Sequence, residues 1–325
     1  MVRSPLQILI ALLIGFQLGI WLSFMGVQHP PQPAEHMVPI AQSEQNKRAV
    51  PGKALPTGWH PVYVFSGGLD LLLDREDYTR DFASHSIEHP KWSGQIHQDD
   101  LVYQLLGQKL NGFFVELAAN DAVYLSNTFA LEQYYGWKGI CVEGNPMYWE
   151  WLAFRDCTVV GSLVGRTKGE ELEVNFGTSD GETGGIQPHH LQNPDTIGQQ
   201  MKPNTRRKRT TTLMEILQTF DAPTTIDFLS LDVEGAEEFI MRGFDFDRFT
   251  FSIMTVERPT SGLANLLREK GYRRVLNQIA RFGETLWVHK SFRLTTTHKQ
   301  AIDNWCRTSN KDTCHPSSLP AGDLG

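Results

Sequence analysis

The sequence predicts an open α/β domain, a mostly parallel and doubly wound sheet with helices on both faces, together with one N-terminal transmembrane helix. Three observations carry this expectation. From Asp99 onward, short apolar runs alternate with stretches of helical periodicity, the pattern of a sheet covered by crossover helices. The apolar runs are continuous, as strands buried on both faces should be. Separately, Leu6 to Val27 contains no charged residue.

That first run sets the organisation of the chain. A bilayer needs roughly 20 apolar residues to be crossed as a helix, and residues 6–27 meet that length. Arg3 precedes the run and no Lys or Arg follows it until Lys47. Positive charge stays on the cytosolic side. Residues 1–5 are therefore expected as a cytosolic tail, 6–27 as a signal-anchor, and everything beyond as lumenal. A cleaved signal peptide would carry a shorter apolar core and a small-x-small exit, whereas this run ends in Phe24-Met25-Gly26-Val27. The localisation expected is a single-pass type II protein of the secretory pathway, in the Golgi or endoplasmic reticulum. Residues 28–59 carry Pro30, Pro31, Pro33, Pro39, Pro51 and Pro56 among Gln, Glu and Ala. Such a segment cannot bury enough apolar surface to fold alone and reads as an extended stem. Residues 60–98 are expected to form a short helical cap. Residues 99–292 form the main domain and 293–325 a C-terminal tail.

Within the domain, Asp99 or Asp100 can cap a helix through Leu101, Leu105, Leu106 and Leu110, ended by Asn111-Gly112. Phe113 to Leu117 reads as the first strand. Ser126 to Tyr135 reads as a helix with Ser126 as N-cap and Gly136 as terminator. Gly139 to Glu143 is the second strand, and Pro146 opens a helix through Arg155. Further strands are expected at Val159–Val164, Thr225–Asp232, Phe251–Glu257, Arg274–Leu276 and Thr285–His289, with a helix from Leu263 to Lys270.

Composition narrows the function. Hydrophobic residues are 40% and charged residues 21%, enough for a sizeable core. The net charge of -7 does not suggest a nucleic-acid partner. The basic run Arg206-Arg207-Lys208-Arg209 reads as a solvated loop or face, with an anionic-substrate patch as the alternative. The four cysteines include no CxxC pair, and no His/Asp/Glu grouping has metal-ligand spacing, so no metal is expected. Cys306 and Cys314 can form a local disulfide. Cys141 and Cys157 fall on core elements and read equally well as buried thiols.

Three acidic motifs end expected strands: Glu116 to Ala122, Glu143-Gly144-Asn145-Pro146, and Asp232-Val233-Glu234-Gly235-Ala236-Glu237. In an open α/β sheet, ligands bind outside the carboxyl ends of the strands. A tight loop after the first strand lets a ligand approach the backbone. A carboxylate ending the second accepts hydrogen bonds from ribose hydroxyls. Glu257 ends a further strand, and His189 and His190 lie in a polar loop from Gly177 to Thr205, where substrate contacts often sit.

The run FFVELAANDAVYLSNTFALEQYYGWKGICVEGNP, with IDFLSLDVEGAE and the later ETLWVHK, resembles the FkbM methyltransferase family over roughly residues 99–290. The resemblance implies a class I methyltransferase fold of Rossmann-like winding, S-adenosylmethionine as cofactor, and O-methylation of a hydroxyl acceptor, a glycan for preference. It implies Glu116, Ala118, Asn120, Asp121, Glu143 and Asn145 as cofactor-binding. Asp232, Glu257, His189 and His190 become candidates for the proton-accepting group, and Glu234 and Glu237 for substrate contacts. The family loop usually has glycine where this chain has Ala118 and Ala122. A methyl there is costly if the backbone needs positive φ, which raises a second reading: a silent domain that binds or escorts cargo proteins. Insect Star-type trafficking proteins have a similar order of anchor and lumenal domain.

Overall fold

The computed structural model describes residues 62–65, 69–72, 92–176, 185–186, 205–279, 283–308 and 315–316. The apolar run 6–27, the Pro-rich segment 28–59, and His189 and His190 lie outside the described residues. Among the described residues, no helix is long and apolar enough to cross a membrane.

The strands run in chain order as β1 (Val62–Phe65), β2 (Leu69–Leu72), β3 (Phe113–Leu117), β4 (Lys138–Glu143), β5 (Thr158–Gly161), β6 (Leu163–Gly165), β7 (Glu171–Asn175), β8 (Gly185–Ile186), β9 (Arg206–Thr212), β10 (Thr225–Leu231), β11 (Thr250–Glu257), β12 (Tyr272–Ile279), β13 (Glu284–His289) and β14 (His315–Pro316). The α-helices are α1 (Gln98–Leu105), α2 (Phe129–Tyr135), α3 (Trp149–Leu152), α4 (Leu213–Thr219), α5 (Glu237–Met241), α6 (Ser261–Glu269) and α7 (Thr296–Thr308).

The main sheet has the order β14-β12-β13-β11-β10-β3-β4-β5-β1-β2. Strands β11, β10, β3, β4, β5 and β1 pair parallel in that order. The antiparallel β13 is inserted between β11 and β12. From β3 the chain winds outward through β4 and β5, then returns to β10 on the other side of β3. The order therefore reverses beside β3, where the crevice of a doubly wound sheet opens.

Alternation along each strand builds two cores. Val115, Leu117, Ile140, Val142, Leu229 and Leu231 face one side, packed with Leu213 and Ile216 of α4, Ile240 of α5 and Leu263 and Leu267 of α6. Phe114, Cys141, Val159, Phe228 and Ile253 face the other, with Leu101 of α1, Phe129 of α2, Leu152 of α3, and Ile302 and Trp305 of α7. This is the period-two pattern of a pleated strand.

Several expectations change here. The single strand expected over Val159–Val164 is two: β5 belongs to the main sheet, and after Ser162 the chain enters a second sheet ordered β6-β9-β7-β8. The basic run 206–209 is not a loop but the first half of β9, and its arginines and lysine alternate across that small sheet. Leu69 to Leu72, expected in a helical cap, is a strand paired antiparallel with β1. Helix α1 ends at Leu105 instead of Leu110. Its N-cap is His97, in the left-handed region, and Asp99 does not cap it. The Asp99 carboxylate turns back to accept from Ser93 N at 2.8 Å and Gly94 N at 3.1 Å. The helix expected from Ser126 begins at Phe129 with Thr128 as its N-cap; Ser126 Oγ accepts from Thr128 N and Phe129 N in the turn that precedes it. Within the segment expected as a tail, α7 packs on the second core, and Trp305 donates to His97 O at 3.1 Å.

Cys141 and Cys157 are not thiols: they form a disulfide between β4 and the residue before β5, with a Cα–Cα distance of 6.1 Å and a sequence separation of 16. Cys306 is disulfide-bonded as well. Closing a loop of this length restricts the unfolded chain by about 3 kcal/mol in the chain-entropy account. The double variant Cys141→Ala/Cys157→Ala is expected to lose about that much stability in urea unfolding. An unchanged midpoint would show that the bond adds nothing to the fold.

Candidate active site

The crevice beside β3 opens into a cleft at the carboxyl ends of the parallel strands. Its walls come from four places. Leu117, Ala118 and Asn120 follow β3; Glu143, Gly144, Asn145 and Tyr148 follow β4; Asp232, Val233 and Glu234 follow β10; and Phe176, Gly185 and Ile186 come from the small sheet.

The loop after β3 turns sharply. Ala118 has φ 58° and Asn120 φ 53°, both in the left-handed region, which costs an L-residue roughly 1–2 kcal/mol. Asn tolerates this region better than Ala does. Ala122 is not among the positive-φ residues, and its side chain is 1% exposed within the second core. The two departures from glycine are thus unlike each other. At 118 the backbone asks for glycine, and at 122 the core uses the methyl.

Glu143 ends β4 and is held from several directions. Its Oε2 accepts from Asn120 N at 2.8 Å and its Oε1 from Asn145 N at 2.6 Å. Its carbonyl accepts from the Trp149 indole at 2.9 Å. That ring lies directly over Gly161, where a Cβ would come within 2.7 Å of it. Burial pushes the Glu143 carboxyl up to about 7, against backbone hydrogen bonds that lower it. Asn145 is buried beside it. Its Oδ1 accepts from Met147 N at 3.2 Å, opening a short 3-10 turn at Pro146, while its Nδ2 has no hydrogen-bond partner among the described residues. A buried donor left unpaired on a cleft wall is costly and marks a place where a ligand oxygen or nitrogen would be held.

Glu116 faces away from the cleft. It is fully buried on the other side of the sheet, accepting from Asn127 N at 2.6 Å, Thr128 Oγ1 at 2.5 Å and Ser126 Oγ at 3.0 Å. The guanidinium of Arg155 lies 3.7 Å from it. Burial raises its pKa and Arg155 opposes the rise. Expected in the cofactor loop, Glu116 instead holds that loop from behind. Asp121 does not line the cleft either: its Oδ1 accepts from Val123 N and Tyr124 N, both at 2.8 Å, and so closes a turn. Glu237, expected at the substrate, accepts from Val233 N and Gly235 N at 3.1 Å and fixes the loop carrying Asp232 and Glu234. Burial pushes it up to about 7.

The far wall is acidic. Asp232 lines the cleft and hydrogen-bonds Glu257 at the end of β11. Burial raises both carboxyls; the Asp232 charge and hydrogen bond push Glu257 further, to about 10, whereas the hydrogen bond from Glu257 lowers Asp232, and Arg258 opposes the rise in both. Two carboxyls in this contact share a proton. Arg258 lies 3.0 Å from Glu257. Glu284, opposite Glu257 across the β11–β13 pairing, is fully buried and raised well above the ordinary carboxyl range. Glu234, at φ 53°, stands exposed on the cleft rim. Carboxylate oxygens of Asp232, Glu234 and Glu257 lie within 4.8 Å of one another. The spacing along the chain hid this grouping, because the residues come from two different strand ends.

Sequence reading missed Arg155, Tyr148, Phe176, Ile186 and Glu284. Arg155 had a signal, a charge in an otherwise apolar helix end. Phe176 and Ile186 had none, because only the small sheet brings them to the cleft.

Residues 116–274 match the family described as the Methyltransferase FkbM domain. That stretch runs from Glu116 on β3 into β12 and includes Glu143, Asp232 and Glu257. The domain is that of an S-adenosylmethionine-dependent methyltransferase. No curated protein matches the chain. Among solved structures, the chain is similar to the METTL16 MTase domain at 12% identity and TM-score 0.37, over 60% of this chain and 67% of that one. It is also similar to precorrin-6y C5,15-methyltransferase from Geobacter metallireducens GS-15 at 11% identity and TM-score 0.31, over 58% and 85%. Likeness at these scores adds nothing to the family match.

The loop geometry separates the two alanines by experiment. Ala118→Gly is expected to stabilise the domain by about 1 kcal/mol by relieving a positive φ, and Ala122→Gly to destabilise it by about 1 kcal/mol. Urea midpoints that move in the same direction would contradict the assignment of strain to Ala118.

Proposed function

We propose that the cleft binds S-adenosylmethionine and that the domain methylates a hydroxyl group of a glycan acceptor in the lumen of the secretory pathway. The single observation that carries the cofactor assignment is Glu143. It is a buried carboxyl at the end of the strand after β3, fixed by Asn120 N and Asn145 N and lining the cleft. The residues present fit the group. Glu143 suits a pair of ribose hydroxyls, the unpartnered Asn145 Nδ2 offers a donor, and the acidic walls favour a cation.

Bound there, S-adenosylmethionine supplies a methyl group already activated by its sulfonium. The protein's own share is alignment and proton removal. Orientation of an acceptor against the activated group supplies several kcal/mol of the barrier. Asp232 lines the cleft with a raised pKa, and its contact with Glu257 lets the pair hold or release one proton. In this reading the protonated Glu257 donates a hydrogen bond that keeps Asp232 ionised, and Asp232 would take the acceptor hydroxyl proton as the O–C bond forms and the methyl–sulfur bond breaks, with the thioether as leaving group. Glu234 on the rim is placed to meet the acceptor. His189 and His190 stay candidates for the same proton.

The lumenal setting is supported by the uncharged run 6–27 with its charge asymmetry, and by the Cys141–Cys157 disulfide, since disulfides persist in oxidising compartments. The cargo-binding reading has one observation in its favour, the left-handed Ala118 at the cleft. Against it stand the intact Glu143, Asn145 and Asp232.

Cofactor binding should follow the state of Glu143. Its folded pKa of about 7 means that the carboxylate, which accepts from both hydroxyls, forms as pH rises through that value. Affinity for S-adenosylmethionine is expected to rise between pH 6 and pH 8. Glu143→Gln should lose about 1.5–3 kcal/mol of binding and most of this pH dependence. Asp232→Asn should keep the affinity within about twofold while transfer falls by about 10²-fold or more. Titration calorimetry and a methyl-transfer assay read the two effects. No binding by the folded wild type would establish the silent reading.

A further inference from the structure

The small sheet carries a charge pattern that the cleft does not use. In β9, Arg206 stands opposite Val174 and Lys208 opposite Leu172, while Val174 stands opposite Ile186 on β8. Directly paired residues share a face of the sheet, so Arg206, Lys208, Leu172, Val174 and Ile186 lie on one side. That side is the cleft side: Ile186 lines the cleft, as does Phe176, which follows Val174 at the same parity. Strands about 4.8 Å apart put Arg206 roughly 10 Å from Ile186, across β7.

Arg207 and Arg209 take the opposite face. There Arg207 pairs with Glu171 at 3.4 Å and Glu173 at 3.5 Å. On the cleft side the neighbours are aliphatic. Among the described residues, neither Arg206 nor Lys208 has an acidic partner. Lys208 is half-buried, and burial together with the Arg206 charge holds its amine below the usual lysine value. Two uncompensated cations side by side on one face, in a chain of net charge -7, repel each other and attract an oxyanion.

We propose that Arg206 and Lys208 hold a sulfate or carboxylate group of the methyl acceptor, so that the acceptor is an acidic glycan that reaches from the cleft across β7 to β9. The proposal rests on the methyltransferase reading of the cleft. The outward face of β9 argues against an anionic membrane as the partner, because Glu171 and Glu173 alternate with its arginines there.

The test uses the full chain in neutral detergent. Fluorescence anisotropy reads a labelled sulfated tetrasaccharide that carries no carboxylate, its uncharged desulfated counterpart as competitor, and phosphatidylserine vesicles as a second competitor. The wild type is expected to prefer the sulfated sugar. Arg206→Gln/Lys208→Gln should weaken it at least tenfold, and Arg207→Gln should stay within twofold. The exchange Arg206→Lys/Lys208→Arg should retain binding, and thermal melts check that each variant folds. Equal loss in Arg207→Gln, undiminished binding by the double Gln variant, or equal competition by the desulfated sugar would each overturn the proposal. So would vesicles that displace the sugar while the sugar fails to inhibit transfer. S-adenosylmethionine affinity, measured on the same samples, should not change between variants. Its absence from the wild type would sink the methyltransferase reading separately, leaving the sugar data to judge the anion site.

Discussion

The site depends on one buried cation. Arg155, 2% exposed, donates from Nε to Glu132 at 2.8 Å and from Nη2 to the same carboxylate at 3.3 Å. It also donates to Thr128 Oγ1 at 3.0 Å, Ser126 Oγ at 3.1 Å and the Ala122 carbonyl at 3.2 Å, and stands 3.7 Å from Glu116. Most of its fork is thus used, against two carboxylates. A guanidinium suits this role because its donors are fixed in a plane. Taking one partner away from such a group leaves a buried charge uncompensated, at about 3–5 kcal/mol. The consequence for function is geometric. The network ties the loop from Ala118 to Thr128 to the end of α3 on one side of the sheet, and so presents Ala118 and Asn120 to the cleft on the other.

The opposite wall of the cleft has the reverse electrostatics. Asp232, Glu257, Glu284 and Glu237 converge where strand ends meet, with Arg258 the cation the structure places beside them. Packed carboxyls cannot all ionise, so burial and repulsion keep protons on some of them. In the function proposed above, such a wall would accept a proton and attract a sulfonium cation. The backbone is also strained there, with Glu234 at φ 53° and Arg258 at φ 39°. Strain of this kind persists where surrounding contacts over-determine it. Here Glu237 does so by accepting from the backbone of Val233 and Gly235.

Much of this was legible before any coordinates. Continuous apolar runs located β3, β4, β10 and β11, because a strand buried on both faces has no polar alternation to confuse the reading. Acids at strand ends located the cleft, and Glu143, Asn145, Asp232 and Glu234 do line it. What failed had physical causes. The side on which Glu116 lies depends on strand parity and on Arg155, which lies two βα units further along the chain. The basic run reads as a solvated loop or face; it is the solvated face of a strand, because cross-strand pairing to Glu171 and Glu173 holds it extended. The cysteines on β4 and beside β5 read as thiols because pairing is invisible until the two strands are known to be neighbours. The second sheet was not foreseen at all, since Ser162 hides the change of sheet inside one apolar run.

The central claim is that the cleft between the ends of β3 and β4 is an S-adenosylmethionine site. Ultraviolet crosslinking of methyl-tritiated S-adenosylmethionine to the full chain, followed by peptide mapping, tests it most directly. Label is expected on peptides containing Leu117 to Asn120 and Val142 to Tyr148, and S-adenosylhomocysteine should compete it away. Label confined to other peptides, or label on these that the competitor leaves in place, would contradict the assignment.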